Sequence, residues 1–320
     1  MKIRSLLIGL AVCLGAWTAN AQEWPARPVR LVVPVPPGGA LDPFVRAMAV
    51  KLGDALKQPF IVENKPGASG SVGTASVAKS APDGYTFAFV FDTHAVNPAL
   101  IARMPFDTVR DLVPVMLVAR APMLIVTHPN KPFQTFAQVV EQSKLRPESI
   151  SIGTAGNGSI GHLAVLQMAR EDGVKLTNVP YKGGGPLMQD VLGGQVDLGI
   201  SAVGVFLPYV RNKQVRPLAV ASEQRSAAMP DVPTLSELGL NVSANTWWAV
   251  FAPTGTPQNI LDRFHAELAK ALDAPDIKKM LTETFGMEIV ASSPDRLQQF
   301  TTNEIARWGK VVREHNVRTE

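Results

Sequence analysis

Val29-Arg30-Leu31-Val32-Val33-Pro34-Val35-Pro36-Pro37-Gly38-Gly39-Ala40-Leu41-Asp42 is the stretch whose reading decides the fold. Its first half is an apolar, mostly β-branched run of the kind found in a parallel strand buried on both faces. Prolines and glycines then close the run in a tight loop. From Asp42 to Lys57 the apolar residues Phe44, Val45, Met48, Leu52 and Leu56 recur at helical spacing. Asp42 reads as the N-cap of that helix and Pro43 as its first residue. Phe60 to Glu63 is a second short strand, Ser71 to Ser80 a helix of small residues, and Tyr85 to Phe91 a third strand. Strand–helix–strand–helix–strand within about 65 residues is the start of a doubly wound α/β sheet.

The pattern then restarts. Leu112 to Val126 is too long an apolar run for one ordinary strand, and Arg120-Ala121-Pro122 interrupts it, so it reads as two strands passing between domains. Ile150 to Gly153, Leu176 to Tyr181, Val196 to Ser201 and Val215 to Ser222 are strands, and helices are expected at Phe133–Ser143, Asn157–Arg170 and Leu187–Leu192. A strand at Thr246–Ala252 and helices at Ile260–Leu272, Asp276–Phe285 and Pro294–Glu314 close the chain. The expected architecture is two α/β lobes, residues 22–122 with 226–320 and residues 123–225, joined by more than one crossing.

The N-terminus adds a compartment. Lys2 and Arg4, the apolar run Leu6 to Ala16, and Ala19-Asn20-Ala21 before Gln22 have the form of a secretory signal peptide, residues 1–21, cleaved after Ala21. The single cysteine, Cys13, falls inside it, so no disulfide is expected in the exported chain. Export also removes the supply of ATP and nicotinamide cofactors, and no cofactor is expected. The composition, 46% apolar and 18% charged, is that of a compact globular protein. Basic residues are scattered rather than clustered beside aromatics, which argues against nucleic-acid binding.

Three loops carry candidate chemistry. Gly156-Asn157-Gly158-Ser159-Ile160-Gly161 follows a strand and opens a helix, as a dinucleotide fingerprint does. The next strand ends Asn178-Val179-Pro180-Tyr181 without the acidic residue that would hold a ribose. What remains is either a helix N-terminus whose amides and dipole favour an anion or a plain capped helix with glycines for packing. Pro37-Gly38-Gly39-Ala40-Leu41-Asp42 repeats the arrangement at the first strand, so the two loops could act as jaws. Tyr181-Lys182-Gly183-Gly184-Gly185 is the third, with Tyr181 as a pocket wall and Lys182 either at the ligand or simply solvated. His94, in Asp92-Thr93-His94, is either a pocket residue or a hydrogen-bonded structural one. His162 reads as packing, and Trp247 and Trp248 as core, hinge or cleft. Catalysis finds no support: Asn157 breaks the G-x-S-x-G nucleophile elbow, and His94, His128, His162, His265 and His315 show no metal-ligand spacing. A secreted ester hydrolase would need a nucleophile–base pair, and none is visible.

In order along the chain, Pro28 to Pro34 with Pro37-Gly38-Gly39 and Asp42, Val62-Glu63-Asn64-Lys65-Pro66-Gly67-Ala68, Ala81-Pro82-Asp83-Gly84-Tyr85, His94-Ala95-Val96-Asn97-Pro98, Gly156 to Ser159, Pro180 to Gly183, Gly193-Gly194-Gln195-Val196-Asp197 and Pro230 to Thr234 resemble the Bug family. These are periplasmic solute-binding components of tripartite tricarboxylate transporters. The resemblance implies a type II, flytrap-like periplasmic binding protein, each lobe a doubly wound sheet. It implies a small carboxylate held by the loops Pro37–Asp42 and Thr154-Ala155-Gly156-Asn157-Gly158-Ser159, with delivery to membrane permease subunits by a monomer. A ligand-sensing subunit for a membrane kinase would share that pocket. The departures bear on the ligand. Val35, Ala40 and Leu41 replace an aromatic and two hydroxyl residues, and Ser201 replaces an aspartate that could pair with an ammonium. An aromatic or otherwise apolar carboxylate is therefore expected.

Overall fold

The computed structural model describes residues 23–318; the expected signal peptide and Cys13 lie outside the described residues. β1 (Val29–Val33) pairs in parallel with β2 (Phe60–Asn64) and β3 (Thr86–Phe91). The connecting helices are α1 (Leu41–Leu56) and α2 (Ser71–Ala78). In α1 the five apolar residues at helical spacing are all buried. Small residues let α2 lie close on the sheet, where a Cβ at Gly73 would come within 2.6 Å of the Lys65 carbonyl.

One local expectation is corrected here. Ala40, not Asp42, occupies the N-cap position of α1, with no side-chain cap. The Gly38-Gly39 turn brings the chain into the helix early, and the Asp42 N–H bonds the Gly39 carbonyl at 3.0 Å. The Asp42 carboxylate then reaches back from inside the first turn to the Gly38 N–H, at 3.1 Å.

The expected pair of strands at 112–126 is a single strand, β4 (Leu112–Thr127). Its first part pairs antiparallel with β9 (Asn245–Pro253), and Met123–Thr127 pairs with β7 (Leu198–Ala202) and β8 (Arg216–Ala221). The chain stays extended through Arg120-Ala121-Pro122 because this is where the partners change. Proline lacks an N–H, and it is tolerated where a ladder ends or bulges. Register shifts after Pro114 and Leu117 absorb the rest of the irregularity. One sheet therefore runs β2-β1-β3-β9-β4, with β10 (Glu288–Ile289) also on β4. The other holds β5 (Ser151–Thr154), β6 (Thr177–Pro180), β7, the end of β4, and β8.

Helices cover both faces of each sheet. α3 (Thr93–Leu100) follows β3; α4 (Phe136–Leu145), α5 (Ile160–Glu171), α6 (Gly184–Leu192) and α7 (Val203–Arg211) serve the second sheet. α8 (Gln258–Leu272), α9 (Pro275–Lys279), a π-type turn at Met280–Thr284 and α10 (Pro294–Glu314) close the chain. The return crossing is tied down where Met123 N–H bonds the Ala244 carbonyl at 2.9 Å and Ala244 N–H bonds that of Ala221 at 2.7 Å. Leu235, Leu240, Val242 and Ala244 belong to the second core, so the segment after β8 stays with that lobe almost to β9. α10 spans the seam: Leu297 lies in a first-lobe core, whereas Trp308 and Val312 lie in the second.

Candidate functional site

On the first lobe the loop after β1 is held from beneath by Asp42. Its carboxylate accepts from Gly38 N–H and from Asn64 Nδ2 at 2.9 Å, and pairs with Arg46 Nε at 3.0 Å. Asn64 Nδ2 also donates to the Val35 carbonyl at 3.1 Å. Desolvation alone would raise the Asp42 pKa, but the bonds from Arg46, Asn64 and Gly38 outweigh it and hold the carboxyl below its ordinary value. Asp42 therefore shapes the loop from inside, while Pro37, Gly38, Gly39 and Ala40 stay exposed. Leu41 points into the core and offers no wall to a ligand.

The second contribution of this lobe comes from the start of α3. Thr93 Oγ1 and Asn97 Nδ2 both donate to the Ser69 carbonyl, at 2.8 and 2.9 Å, drawing the loop after β2 against the end of β3. Asp92 beside them is buried, which pushes its carboxyl up to about 6.

Two residues named from sequence are enclosed by the core. His94 is 4% exposed and packs on Phe251, ring centroids 4.8 Å apart, and on Phe106. Its Nε2 has no hydrogen-bond partner among the described residues, and burial lowers its pKa to about 3. It is neither a pocket lining nor a fully bonded structural histidine. Trp247 is fully buried against Phe300, and Trp248, its neighbour on β9, packs on Phe44 and Phe285. Strand alternation sends the two indoles to opposite faces, both of them apolar cores.

On the second lobe the sequence-named loops do come together, at the C-terminal ends of β5, β6 and β7. Thr154 is buried, with Oγ1 bonded to Asn178 Oδ1 at 2.8 Å, and its carbonyl accepts the Tyr181 N–H at 2.9 Å. Gly156 (φ +124°) and Gly158 (φ +75°) take conformations that favour glycine. Ser159 caps α5 by accepting the His162 N–H at 3.3 Å. The Gly158 N–H, expected to face an anion, donates instead to His162 Nδ1 at 3.0 Å, and the Ser159 N–H to the Gly156 carbonyl at 3.1 Å. Among the described residues, no backbone carbonyl outside the regular elements accepts from the Ala155 or Gly156 amide.

Tyr181 lays its ring over Gly153 and donates its hydroxyl to Asp190 Oδ2 at 2.7 Å; burial, with that bond, pushes the phenol up to about 12. Lys182 is exposed. Ser201, buried at the end of β7, lies beside Gly184 at the start of α6. The lobes meet directly at the glycine loop: a Cβ at Gly158 would overlap Leu100 of α3. No nucleophile–base pair forms here, since the Ser159 hydroxyl meets the backbone of His162 and the imidazole Nδ1 is occupied by Gly158.

Sequence reasoning missed the supports beneath these loops: Asn64, Asn178, Asp190 and the ring of His162. It also missed a cavity of about 900 Å³ where the crossing strands change sheets, bordered by Arg120, Arg225, Asn245, Glu288, Glu304 and Arg307.

Known proteins match this architecture over nearly its whole length. The family model described as the tripartite tricarboxylate transporter family receptor matches residues 44–317. Protein BugT of Bordetella pertussis is 36% identical over 316 residues, covering 96% of each chain. An R. palustris protein solved with adipate is 33% identical with a TM-score of 0.82, covering 93% of this chain and 100% of that one. MatC from Rhodopseudomonas palustris, solved with bound malate, is 31% identical with a TM-score of 0.77, covering 90% and 100%.

Proposed function

The chain belongs to the tripartite tricarboxylate transporter receptor family, in its Bug branch, and from that premise we propose that it captures a small carboxylate between its two lobes and delivers it to permease subunits in the membrane. One observation carries the reading: a glycine loop at a strand C-terminus on each lobe, the two lobes in contact where Gly158 meets Leu100. Ligands of open α/β sheets collect at such strand ends. In this reading the protein is a periplasmic monomer, exported through a signal peptide over residues 1–21, and does no chemistry on its cargo.

The cargo of this proposal is a carboxylate without an ammonium group. Ser201 supplies no charge to pair with one, and an unpaired buried ammonium is costly. With Leu41 and Trp247 turned into the cores, the apolar character of the cleft rests on Val35 and Ala40, which suits an aliphatic chain as well as an aromatic ring. Adipate, with which the R. palustris relative was solved, is such a chain between two carboxylates.

Titration calorimetry of the exported protein with adipate, malate, benzoate, phthalate and glutamate tests both steps. Binding of adipate or an aromatic acid well ahead of glutamate is expected. Tight binding of glutamate with no heat from the others would refute the assignment of the cargo, and no heat from any small carboxylate would refute the function.

A further inference from the structure

The bond between Gly158 and His162 reaches beyond capping. Ser159 is the N-cap of α5 and His162 stands three residues on, where a Glu or Gln usually closes a capping box. The same device occurs elsewhere in this chain with its usual residue. At α4, Thr135 is the N-cap and Gln138 Oε1 accepts the N–H of Gln134 at 2.6 Å and of Thr135 at 3.2 Å. At α5 an imidazole takes the place of that amide, and its Nδ1 accepts the N–H of Gly158, four residues back, at 3.0 Å. A ring nitrogen can accept only while it is unprotonated. The difference matters because Gly158 also forms the contact with Leu100 of the opposite lobe.

We propose that His162 is a positioning residue: its neutral imidazole holds the Gly156–Ser159 loop in the shape that meets both the ligand and Leu100, and protonation of the ring releases that loop. The proposal rests on the reading of this loop as a carboxylate contact. Once protonated, Nδ1 is a donor facing the Gly158 donor, and the bond turns into a repulsion. Gly158, at φ +75°, then loses the group that fixes it.

The surroundings keep the ring neutral near pH 7. His162 is 9% exposed, and burial is the main cause lowering its pKa; repulsion from His315, at the C-cap of α10, is the second cause. Leu100 and Ile200, packed on the glycines of this helix start, bring no charge. The ion pair between the two helices, Arg170 with Glu314, joins the far end of α5.

The test compares the wild type with His162→Gln and His162→Leu, using adipate as the probe and following the Gly158 amide by NMR from pH 7.5 downward through the titration of the ring. Gln restores an acceptor that does not titrate in this range; Leu removes the acceptor. In the wild type the Gly158 amide should shift with the titration of the ring, and protonation of the ring should lower adipate affinity, relative to the Gln variant at the same pH, on the order of five- to tenfold, the factor one hydrogen bond carries. In the Gln variant the amide should be flat and affinity should follow only the ionisation of adipate itself, and in the Leu variant affinity should be low throughout. A Gly158 amide indifferent to the ring, or a loss of affinity in acid no larger in the wild type than in the Gln variant, overturns the proposal. A Gly158 amide that titrates with the ring in a protein that binds no adipate would leave the positioning role standing and count against the carboxylate reading.

Discussion

Replacing His94 with leucine should make the protein more resistant to acid. The imidazole is enclosed by Phe106 and Phe251, its Nε2 lacks a partner, and its pKa falls from 6.5 to about 3 because burial disfavours the charged form. The folded-state value lies below the unfolded one, so the native state binds fewer protons between the two. The associated stability is complete above about pH 6.5 and is lost as the pH falls toward 3. At about 1.4 kcal/mol per unit, wild type should lose about 3 kcal/mol between pH 7 and pH 4 through this group alone. Leucine cannot titrate, and the variant should lose that much less. At pH 7 the two should be close, because relief of an unsatisfied nitrogen offsets the lost ring contacts. Asp92, with its carboxyl raised to about 6, acts in the opposite sense: its ionisation costs stability as the pH rises from 4 to 6. It is present in both proteins and cancels in the comparison to the extent that the two groups titrate independently. Urea unfolding of both proteins at pH 7 and pH 4 measures the difference. Equal losses would show that His94 reaches a proton acceptor or solvent, and the argument from burial would fail.

Two further predictions concern the loops themselves. Gly158→Val should weaken adipate binding and lower the melting temperature together, because the side chain meets an unfavourable φ and overlaps Leu100; pairing it with Leu100→Ala should recover part of the loss, whereas Gly39→Ala, whose Cβ meets only ordinary contacts at 3.6 Å, should be tolerated, and a normal Gly158→Val would exclude a close approach of the lobes there. Asp42→Asn places an amide donor against the donors of Gly38 or Asn64 and should cost about 1–3 kcal/mol in urea unfolding, an effect that shrinks below pH 4 as the wild-type carboxylate protonates; no change at pH 7 would mean that the first loop does not depend on this residue.

The parts of the fold legible in sequence were those governed by apolar pattern. The run at Val29–Val33 and the spacing of Phe44, Val45, Met48, Leu52 and Leu56 report which faces are buried, and burial is what holds these elements. α3 and α7 escaped because each is short and carries a proline, Pro98 and Pro208, inside it. The single long β4 escaped because Arg120 to Pro122 looks like a break to a rule that assumes one partner per strand. At the site, the glycines were readable because a positive φ restricts the residue type. The partners beneath them were not. Asn64 lies 22 residues from Asp42, and Asn178 lies 24 from Thr154. Pairings at that distance are set by sheet register, which the local pattern does not encode.

The same two supports explain how the loops can serve an anion although one of them is backed by a carboxylate. The negative charge of Asp42 is drawn toward Arg46 and the Asn64 amide, and one of its oxygens is taken up by Gly38 N–H. The support on the other lobe, His162, is a neutral ring. Each inner amide is therefore spent on fixing the loop. In the second lobe the proposed function then assigns the ligand to the amides of Ala155 and Gly156, which make no backbone hydrogen bond outside the regular elements among the described residues. Donors held in place before the ligand arrives cost less ordering on binding than flexible side chains would, so in the proposed function loops built of glycine and alanine would recognise a carboxylate through their backbone. Specificity then falls to what the amides do not contact: the length and polarity of the cargo between its charged ends, which Val35, Ala40, Tyr181 and Ser201 would read.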